Sequence, residues 1–540
     1  MDFNALPREL LEHILSNLKF SDLLSKSLVC KLWKQATAFF IGQRGRLNLN
    51  REMLDYLHVL ENSNRQYQAI SFKGKYKKKA MRKLLLICAD KFTPRKIELP
   101  EILHDNLNRF YVYVQERRWF DFVEDLSVTM DDNKSSYLHL KNSHHRLIMP
   151  NLKHLRWTEF LHDAVRCKKA VTIVAPELET VTLFDSFIGA SELTIMACDN
   201  IKRIVYSLHS QRFHDVFCGR LSQLEILCLY GDNGSFEFSF IERMPKLRWF
   251  EVCMRSKPEY LLPNLSVLYK CKTLESLMIS FSNIYDLPHG TLDLTVLCHN
   301  LVNLKQIELN KVIIRNSGPV RAERLVFLRI SDAKFADEND SLMLIAPKLE
   351  TLSLPMNVLA KTRIDNKSSV TKLYIDMQKT RCLKDAFDLH LQPFIRSNET
   401  VRELMLWDGG YKDKIYDEQE PETTLIHVER MEIRRLHIGL NFFRSIARCQ
   451  SLKHLSLVLC TIYCKDDDPN IQLAALDSMN VQLVRVQRSF RYRFPLIAGS
   501  EEQLRGQSGI FSTHDYEFGI PPSLRIQWGK QFVSFRAFDR

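Results

Sequence analysis

The chain has 540 residues, of which 45% are hydrophobic and 26% are charged, the composition of a folded globular protein. Lys and Arg exceed Asp and Glu by 76 to 64, and this modest excess permits an acidic partner without requiring one. The first residues alternate apolar and charged side chains, unlike a signal peptide, and no uncharged apolar run approaches the ~18 residues of a membrane span. The 13 cysteines are scattered without a CxxC motif, which favours reduced thiols in the cytosol or nucleus.

The first forty residues predict three short helices with more apolar surface than one flat contact needs. Pro7 suits the first turn of a helix, and Ser21 can cap a second helix. The apolar residues at helical spacing are Leu10, Leu11, Ile14, Leu15 and Leu18 in the first helix, Leu23 and Leu24 in the second, and Val29, Trp33, Ala36 and Phe40 in the third. Because so short a segment rarely folds alone, a partner or the rest of the chain is expected to cover it.

The stretch LPRELLEHILSNL, followed by SDLL and SLVCKLWKQ, resembles an F-box over about forty residues. The Leu-Pro start, the Ile-Leu pair, the Asp-Leu-Leu and the Val-Cys-Lys-x-Trp fall in the order of that family. F-boxes dock onto a Skp-type adaptor, which joins them to a cullin scaffold and the ubiquitin-transfer machinery. The resemblance implies that the adaptor-binding motif comprises Leu6, Pro7, Leu10, Ile14, Leu15, Leu23, Leu24, Val29 and Trp33. Some of these residues would face the adaptor and others the short helical core. The alternative is an ordinary helical cap on the array that follows, which hydrophobic pattern alone cannot separate from an F-box.

The rest of the chain repeats the pattern apolar-x-x-apolar-x-apolar, as in PNLKHLRW at 150–157 and PKLETLSL at 347–354. The first apolar residue, or anchor, of each unit falls at positions 152, 178, 201, 224, 247, 274, 304, 325, 349, 370, 401, 433 and 452. The separations run from 19 to 32 residues, and a Glu, Lys or Arg directly follows the anchor in 11 of the 13 units. This recurrence resembles the leucine-rich repeat, with a short strand and a return segment in each unit.

The predicted fold is therefore an α/β solenoid, a leucine-rich-repeat horseshoe preceded by a short three-helix F-box. Weaker repeats at YQAISF (67–72), PRKIEL (94–99) and VEDLSV (123–128) reach back towards the F-box. The predicted divisions are 1–45 for the F-box, 46–145 for the early coils, 146–465 for the leucine-rich repeats and 466–540 for a C-terminal cap or tail.

Strand alternation predicts which side chains line the concave face of such a solenoid. The third, fifth and seventh positions of each unit point away from the core. Aromatic residues and arginines at these positions favour protein binding. The predicted substrate-binding residues are Arg156, Phe184, Arg203, Tyr230, Trp249, Met278, Glu308, Phe327, Arg329, Tyr374 and Trp407. Interleaved charges include Glu251, Lys372, Glu403 and Arg435. Several of the aromatic residues could instead pack against one another or against a C-terminal segment.

Three other features have simpler interpretations. The basic run FKGKYKKKAMRK (72–83) is read as a solvated helix in preference to a nuclear-import or nucleic-acid patch. The tail segments 481–494 and 523–535 alternate as strands and are read as a cap or a loop over the concave face, in preference to a nucleic-acid site. His144 and His145 are read as a surface turn.

Together these patterns predict a non-catalytic adaptor that holds a protein substrate for a ubiquitin ligase. The F-box would bind a Skp-type adaptor and, through it, a cullin. No cofactor, metal, nucleic acid, membrane or obligate homo-oligomer is expected, and the compartment is cytosol, nucleus or both. The alternatives are a scaffold or inhibitor whose F-box serves only assembly, and a nucleic-acid-associated protein that uses the basic run and the tail.

Overall fold

The fold is described from a computed structural model of the chain. The residues that it describes are 8–19, 22–23, 31–49, 57–62, 66–72, 78–102, 119–131, 143–160, 169–185, 191–208, 213–231, 238–254, 262–281, 291–365, 367–377, 385–408, 415–416, 427–439, 446, 449, 451–458, 461–463 and 483–487. The chain divides into two compact units, unit 1 from Met1 to Tyr260 and unit 2 from Leu261 to Arg540.

Unit 1 begins with helices and continues mostly as strands. Its described helices are α1 (Arg8–Ser16), α2 (Lys31–Arg44), α3 (Leu57–Glu61), α4 (Lys78–Lys91) and α5 (Phe213–Val216), with 3-10 helices at Trp119–Asp121 and Phe238–Arg243. Its described strands are β1 (Arg46–Leu49), β2 (Ala69–Phe72), β3 (Lys96–Ile102), β4 (Asp125–Asp131), β5 (Ser143–Ile148), β6 (His154–Phe160), β7 (Lys169–Val174), β8 (Thr180–Asp185), β9 (Ser191–Met196), β10 (Arg203–Leu208), β11 (Phe217–Cys218), β12 (Ile226–Gly231) and β13 (Trp249–Met254).

The main sheet of unit 1 takes one strand from each successive repeat. Its strands run in parallel in the order β1, β2, β3, β4, β6, β8, β10, β12 and β13. Alternate residues of the strands form the core, as Leu155 and Trp157 do in β6 and Phe250 and Val252 do in β13, and β10 and β12 bury residues of the other face as well. The anchors that precede β3, β4, β6, β8, β10, β12 and β13 are buried beside them. This stacking of one parallel strand per coil is the arrangement of a leucine-rich-repeat solenoid.

The return segments of unit 1 form a second parallel sheet, which runs β5, β7, β9 and β11. His144 and His145 lie inside β5, so the surface turn predicted for them is wrong. Leu147 on β5 and its register partner Ile173 on β7 are fully buried, so this sheet contributes to the core.

Unit 2 repeats the same plan. Its described helices are α6 (Leu294–Asn300), α7 (Met356–Leu359) and α8 (Gln392–Ser397), with a 3-10 helix at Leu262–Lys270 and a π-helical turn at Ala386–Leu391. Its described strands are β14 (Ser276–Phe281), β15 (Thr291–Asp293), β16 (Gln306–Asn310), β17 (Ile313–Arg315), β18 (Val320–Arg321), β19 (Phe327–Ser331), β20 (Lys334–Phe335), β21 (Leu342–Ile345), β22 (Thr351–Pro355), β23 (Thr362–Ile364), β24 (Lys372–Asp376), β25 (Glu403–Trp407), β26 (Ile415–Tyr416), β27 (Arg430–Arg434), β28 (His437–Gly439), β29 (His454–Val458), β30 (Thr461–Tyr463) and β31 (Leu483–Gln487).

The main sheet of unit 2 runs in parallel through β14, β16, β19, β22, β24, β25, β27, β29 and β31. The shorter return strands form three further parallel sheets, β15–β17–β20, β18–β21–β23 and β26–β28–β30. Both units are therefore solenoids of the predicted class, although many return segments are strands and not helices.

The predicted repeat register holds in all units but one. The anchor predicted at Ile433 is wrong, because the buried anchor of that coil is Val428 and Ile433 is a core residue inside β27. Val428 stands 27 residues after Val401 and 24 before Leu452, so the spacing becomes more even. Arg435 consequently lies outside the strand, at a positive φ of 54°, and leaves the set of strand-face residues.

The early and late segments also contribute strands. The three weaker repeats form β2, β3 and β4, and the first of the two predicted tail strands appears as β31, paired with β29. The basic run continues into α4, in which Leu84 and Cys88 are buried and Lys83 is exposed. The second tail strand, predicted at 523–535, lies outside the described residues. Within the described part of the chain, no helix combines the length and apolar character that crossing a bilayer requires.

Candidate functional site: two protein-binding surfaces

The N-terminal helices enclose a small hydrophobic core. Leu11, Leu15, Leu23 and Ile41 are buried in it, and Leu18, Trp33, Ala36 and Phe40 pack against it half-buried. The predicted inward face of the third helix is thus confirmed for Trp33, Ala36 and Phe40. Leu6, Pro7, Leu24 and Val29 lie outside the described residues.

Two hydrogen-bonding side chains fasten these helices together. The Arg44 guanidinium at the end of α2 donates to the backbone carbonyl of Leu18 at 2.6 Å and to that of Ser16. The fully buried Thr37 hydroxyl donates to the carbonyl of Trp33 at 2.6 Å. The Arg44 contacts satisfy carbonyls that the end of α1 would otherwise leave unpaired.

Burial separates the predicted adaptor-binding residues into two groups. Leu15 and Leu23 are fully buried, so they belong to the motif residues that form the helical core and do not face a partner. Leu10 and Ile14 instead lie on the outer side of α1, 46% and 37% exposed. They are four residues apart and therefore neighbours on one helix face. We call Leu10 and Ile14 the α1 patch.

The second surface is the strand face, defined as the side chains that point away from the core along the two main sheets. Within each unit, parallel register sets equivalent positions of successive strands side by side. The structure places every predicted substrate-binding residue on this face, exposed or half-buried: Arg156, Phe184, Arg203, Tyr230 and Trp249 in unit 1, and Met278, Glu308, Phe327, Arg329, Tyr374 and Trp407 in unit 2.

On the strand face of unit 2, many charges pair across neighbouring strands. Arg329 lies 3.9 Å from Glu308, which also accepts a hydrogen bond from the amide of Gln306 at 2.6 Å. Glu403 lies between Lys372 at 3.5 Å and Arg430 at 3.2 Å. These cross-strand pairs are exposed to solvent on one side, so each contributes little stability by itself.

On the strand face of unit 1, aromatic rings gather near an acid. The Tyr230 hydroxyl donates to the Glu251 carboxylate at 2.7 Å, and the Phe184 and Tyr230 rings lie 6.1 Å apart between centroids. Burial, with the Glu251 hydrogen bond and charge, raises the pKa of Tyr230 well above its usual range. The sequence placed these residues on one face, but the contact between Tyr230 and Glu251 depends on the register of β12 against β13.

The charged residues that directly follow the anchors lie side by side at the start of successive strands, and we call them the charge ladder. The repeat pattern predicted that charged residues recur at this position, but it did not predict their contacts. The sign alternates over seven successive coils of unit 1: Arg95, Glu124, Lys153, Glu179, Lys202, Glu225 and Arg248. Lys153 lies 3.1 Å from Glu124, and Lys202 lies 3.2 Å from Glu179. Backbone hydrogen bonds join the same positions, as from the N–H of Lys153 to the carbonyl of Glu124.

The eight described cysteines are free thiols, and six of them are buried. Burial raises the pKa of the Cys88, Cys198 and Cys298 thiols to about 12. Among the described residues, no group of three or more His, Cys, Asp or Glu side chains is arranged to hold a metal ion.

Comparison with known proteins supports the assignment of the N-terminal helices. Residues 3–38 match the family model for the F-box-like domain. The comparison with curated proteins found no match.

Two solved structures resemble the chain at low similarity. The mouse RP105/MD-1 complex is 12% identical with a TM-score of 0.31, and the match covers 74% of this chain and 66% of the mouse chain, just under two thirds of its length. A leucine-rich-repeat protein of Leptospira interrogans is 12% identical with a TM-score of 0.29, over 87% of this chain and 97% of that protein. With scores this low, the fold assignment rests on the strand registers. The chain therefore combines an N-terminal F-box-like segment with solenoid coils of the leucine-rich-repeat class.

Proposed function

We propose that the chain is the substrate receptor of an SCF-type ubiquitin ligase. F-box domains generally bind Skp-type adaptors, and members of the family are generally non-catalytic. The observation that carries the proposal is the α1 patch. Within the F-box-like segment, Leu10 and Ile14 stand exposed on a helix whose inner side already closes its own core.

The α1 patch is suited to a partner because the helix does not need these two side chains for its own packing. Burying an aliphatic side chain of this size stabilises a contact by about 1.5–3 kcal/mol. Two of them on adjacent turns of α1 form a compact anchor, flanked by the exposed His13 and Asn17. We expect the Skp-type adaptor to cover this patch and to link the chain to a cullin.

The strand face is the proposed substrate-binding surface. Its half-buried aromatic rings and charged groups resemble the composition of protein interfaces. The receptor would act by proximity, since holding a substrate lysine near the loaded transfer enzyme raises the effective concentration of the reacting groups. The chain itself would supply binding and positioning, in the cytosol or the nucleus.

The proposal predicts that proteins held by the strand face are degraded only when the α1 patch is intact. Wild type and the Leu10→Asp/Ile14→Asp variant are expressed as tagged full chains, and the proteins captured by both are identified by mass spectrometry. Some of these proteins should have shorter half-lives with wild type than with the variant, as measured by pulse labelling.

A different outcome would support the alternative function. If the shared captured proteins turn over at the same rate with both chains, while both chains are equally abundant, the ligase proposal is wrong. The chain would then be a scaffold or inhibitor whose F-box-like segment serves only assembly.

A further inference from the structure

Four half-buried side chains lie on the strand face of unit 1, on β8, β12 and β13, and we call them the Glu251 cluster: Phe184, Tyr230, Trp249 and Glu251. Trp249 and Glu251 are two residues apart on β13, so they project from the same face about 7 Å apart. Tyr230 on the adjacent β12 reaches Glu251 through its hydroxyl at 2.7 Å, and Phe184 on β8 packs against Tyr230. The Glu251 carboxylate thus binds one aromatic side chain directly and has Trp249 beside it on the same strand.

The Glu251 carboxylate differs from the acids on the strand face of unit 2. Glu308 and Glu403 each pair with Arg or Lys, whereas no ion pair reaches Glu251 within the described part of the chain. Its hydrogen-bonding partner is a neutral group, the Tyr230 hydroxyl, and the neutral Cys228 thiol lies opposite it on β12. Because a carboxylate can accept about four hydrogen bonds, Glu251 can still receive a further donor.

Cys228, which lies opposite Glu251 on the adjacent strand, responds to the carboxylate. Burial raises the pKa of the Cys228 thiol to about 12, with Glu251 adding to the rise. Arg203 on β10 lowers the pKa of the same thiol, but its effect is smaller than that of Glu251. The Glu251 carboxylate therefore lies closer in its influence to the thiol than the Arg203 guanidinium does.

A negative charge framed by aromatic rings favours a cation. The faces of Trp, Tyr and Phe attract an ammonium or guanidinium group through the ring quadrupole, Trp most strongly. A half-buried carboxylate adds a charge-assisted hydrogen bond, which is stronger than a neutral one. An anionic ligand would meet repulsion from Glu251 at the same place.

We propose that the Glu251 cluster binds the side chain of a lysine or arginine in the protein substrate, with Glu251 as its ion-pair partner and the rings of Phe184, Tyr230 and Trp249 around it. The inference rests on the proposed function, in that the cation belongs to a protein held on the strand face. It narrows the substrate class to proteins that present an exposed basic residue within the recognised segment.

The test uses short degenerate peptides with one fixed central residue, retained on immobilised full-length chain. Pools that fix Lys or Arg should be retained about tenfold better than pools that fix the neutral analogues acetyl-lysine or citrulline. This factor corresponds to a difference of about 1.4 kcal/mol in binding free energy. Glu251→Gln should abolish this preference, because the amide keeps an acceptor for Tyr230 but loses the charge. Trp249→Leu should weaken retention of the basic pools while leaving some preference for the charged residues.

The matched control is Glu225→Gln, the same change on the neighbouring coil, where the residue belongs to the charge ladder and not to the cluster. This variant should keep the wild-type preference. Glu251→Lys supplies a readout that misfolding could not produce, since it should transfer the preference to pools that fix Asp or Glu.

The inference is overturned if wild type retains charged and neutral pools equally, or if Glu251→Gln keeps the full preference for Lys and Arg. The peptide assay does not involve the α1 patch, so the Leu10→Asp/Ile14→Asp variant should show the wild-type peptide preference. Failure of adaptor binding would therefore refute the proposed function without changing the peptide result.

Discussion

At the scale of single residues, Gly42 determines how closely α2 approaches the chain before β2. The N–H of Gln68 donates to the carbonyl of Gly42 at 3.1 Å, and a Cβ at position 42 would overlap the carbonyl oxygen of Gln66. Two effects of a larger residue oppose each other here. Alanine is favoured over glycine in a helix by about 1 kcal/mol, whereas forcing extra volume against fixed backbone costs typically 1–3 kcal/mol.

We expect the steric effect to prevail, so Gly42→Ala should lower the free energy of unfolding by about 1–2 kcal/mol despite the better helix propensity. The measurement is the midpoint of thermal unfolding of the full chain. Gly318→Ala is the matched control, because a Cβ there would meet only the Thr295 methyl at 4.0 Å. A Gly42→Ala variant as stable as the Gly318→Ala variant would show that α2 is not held against the Gln66 backbone.

The residue scale also shows what the sequence could not supply. The burial of Leu15 and the exposure of Leu10 both fit one helical stripe, and only the position of α2 decides which side is covered. Likewise, Glu251 was recognisable as a strand-face residue, but its hydrogen bond to Tyr230 follows from the alignment of two strands. Contacts between repeats depend on the register of neighbouring strands to within one residue. The local sequence pattern predicts where a strand lies, but it does not fix that register at every coil.

At the scale of elements, the strands were predictable and the return segments were not. In almost every coil, the anchor is followed by two core residues that are separated by a single residue. The pattern recurs because each strand must bury the same face. The return strands β11, β18, β20 and β26 have only two residues each, too few for a period to be visible. The anchor error at Ile433 has a related cause, since Ile433, Leu436 and Ile438 also satisfy the repeat pattern.

The charge ladder gives a prediction at this scale. In Lys153→Glu, a carboxylate would replace the ammonium that lies 3.1 Å from Glu124, with Glu179 as the next acid along the ladder. Because the ladder is exposed, the cost should be about 1 kcal/mol or less, and high salt should reduce it. The measurement is the Tm of the full chain at low and high ionic strength.

The control for the ladder is Lys246→Glu, a residue whose ammonium contacts the neutral amide of Gln223 at 2.5 Å. It should cause a smaller and less salt-dependent change than Lys153→Glu. Equal changes in both variants would mean that the alternation of charge has no part in stabilising the stacked coils.

At the scale of the whole molecule, the chain combines a helical F-box-like segment with solenoid coils in both units. The helical segment leaves Leu10 and Ile14 exposed, and the coils display polar and aromatic side chains on the strand face. The order of these parts was readable from the sequence, because the F-box-like motif is dense and the repeat is long. The identity of a bound substrate was not readable from the sequence, because the strand face consists of variable positions that the fold does not constrain.

The most direct test of the central claim is the affinity of the full chain for a purified Skp-type adaptor, compared between wild type and Leu10→Asp/Ile14→Asp. Loss of two buried aliphatic contacts should weaken binding by about a hundredfold or more. Val302→Asp, which changes an exposed aliphatic residue outside the F-box-like segment, should bind as wild type does. If wild type does not bind the adaptor, or if the double variant binds with unchanged affinity, the α1 patch is not an adaptor-binding surface.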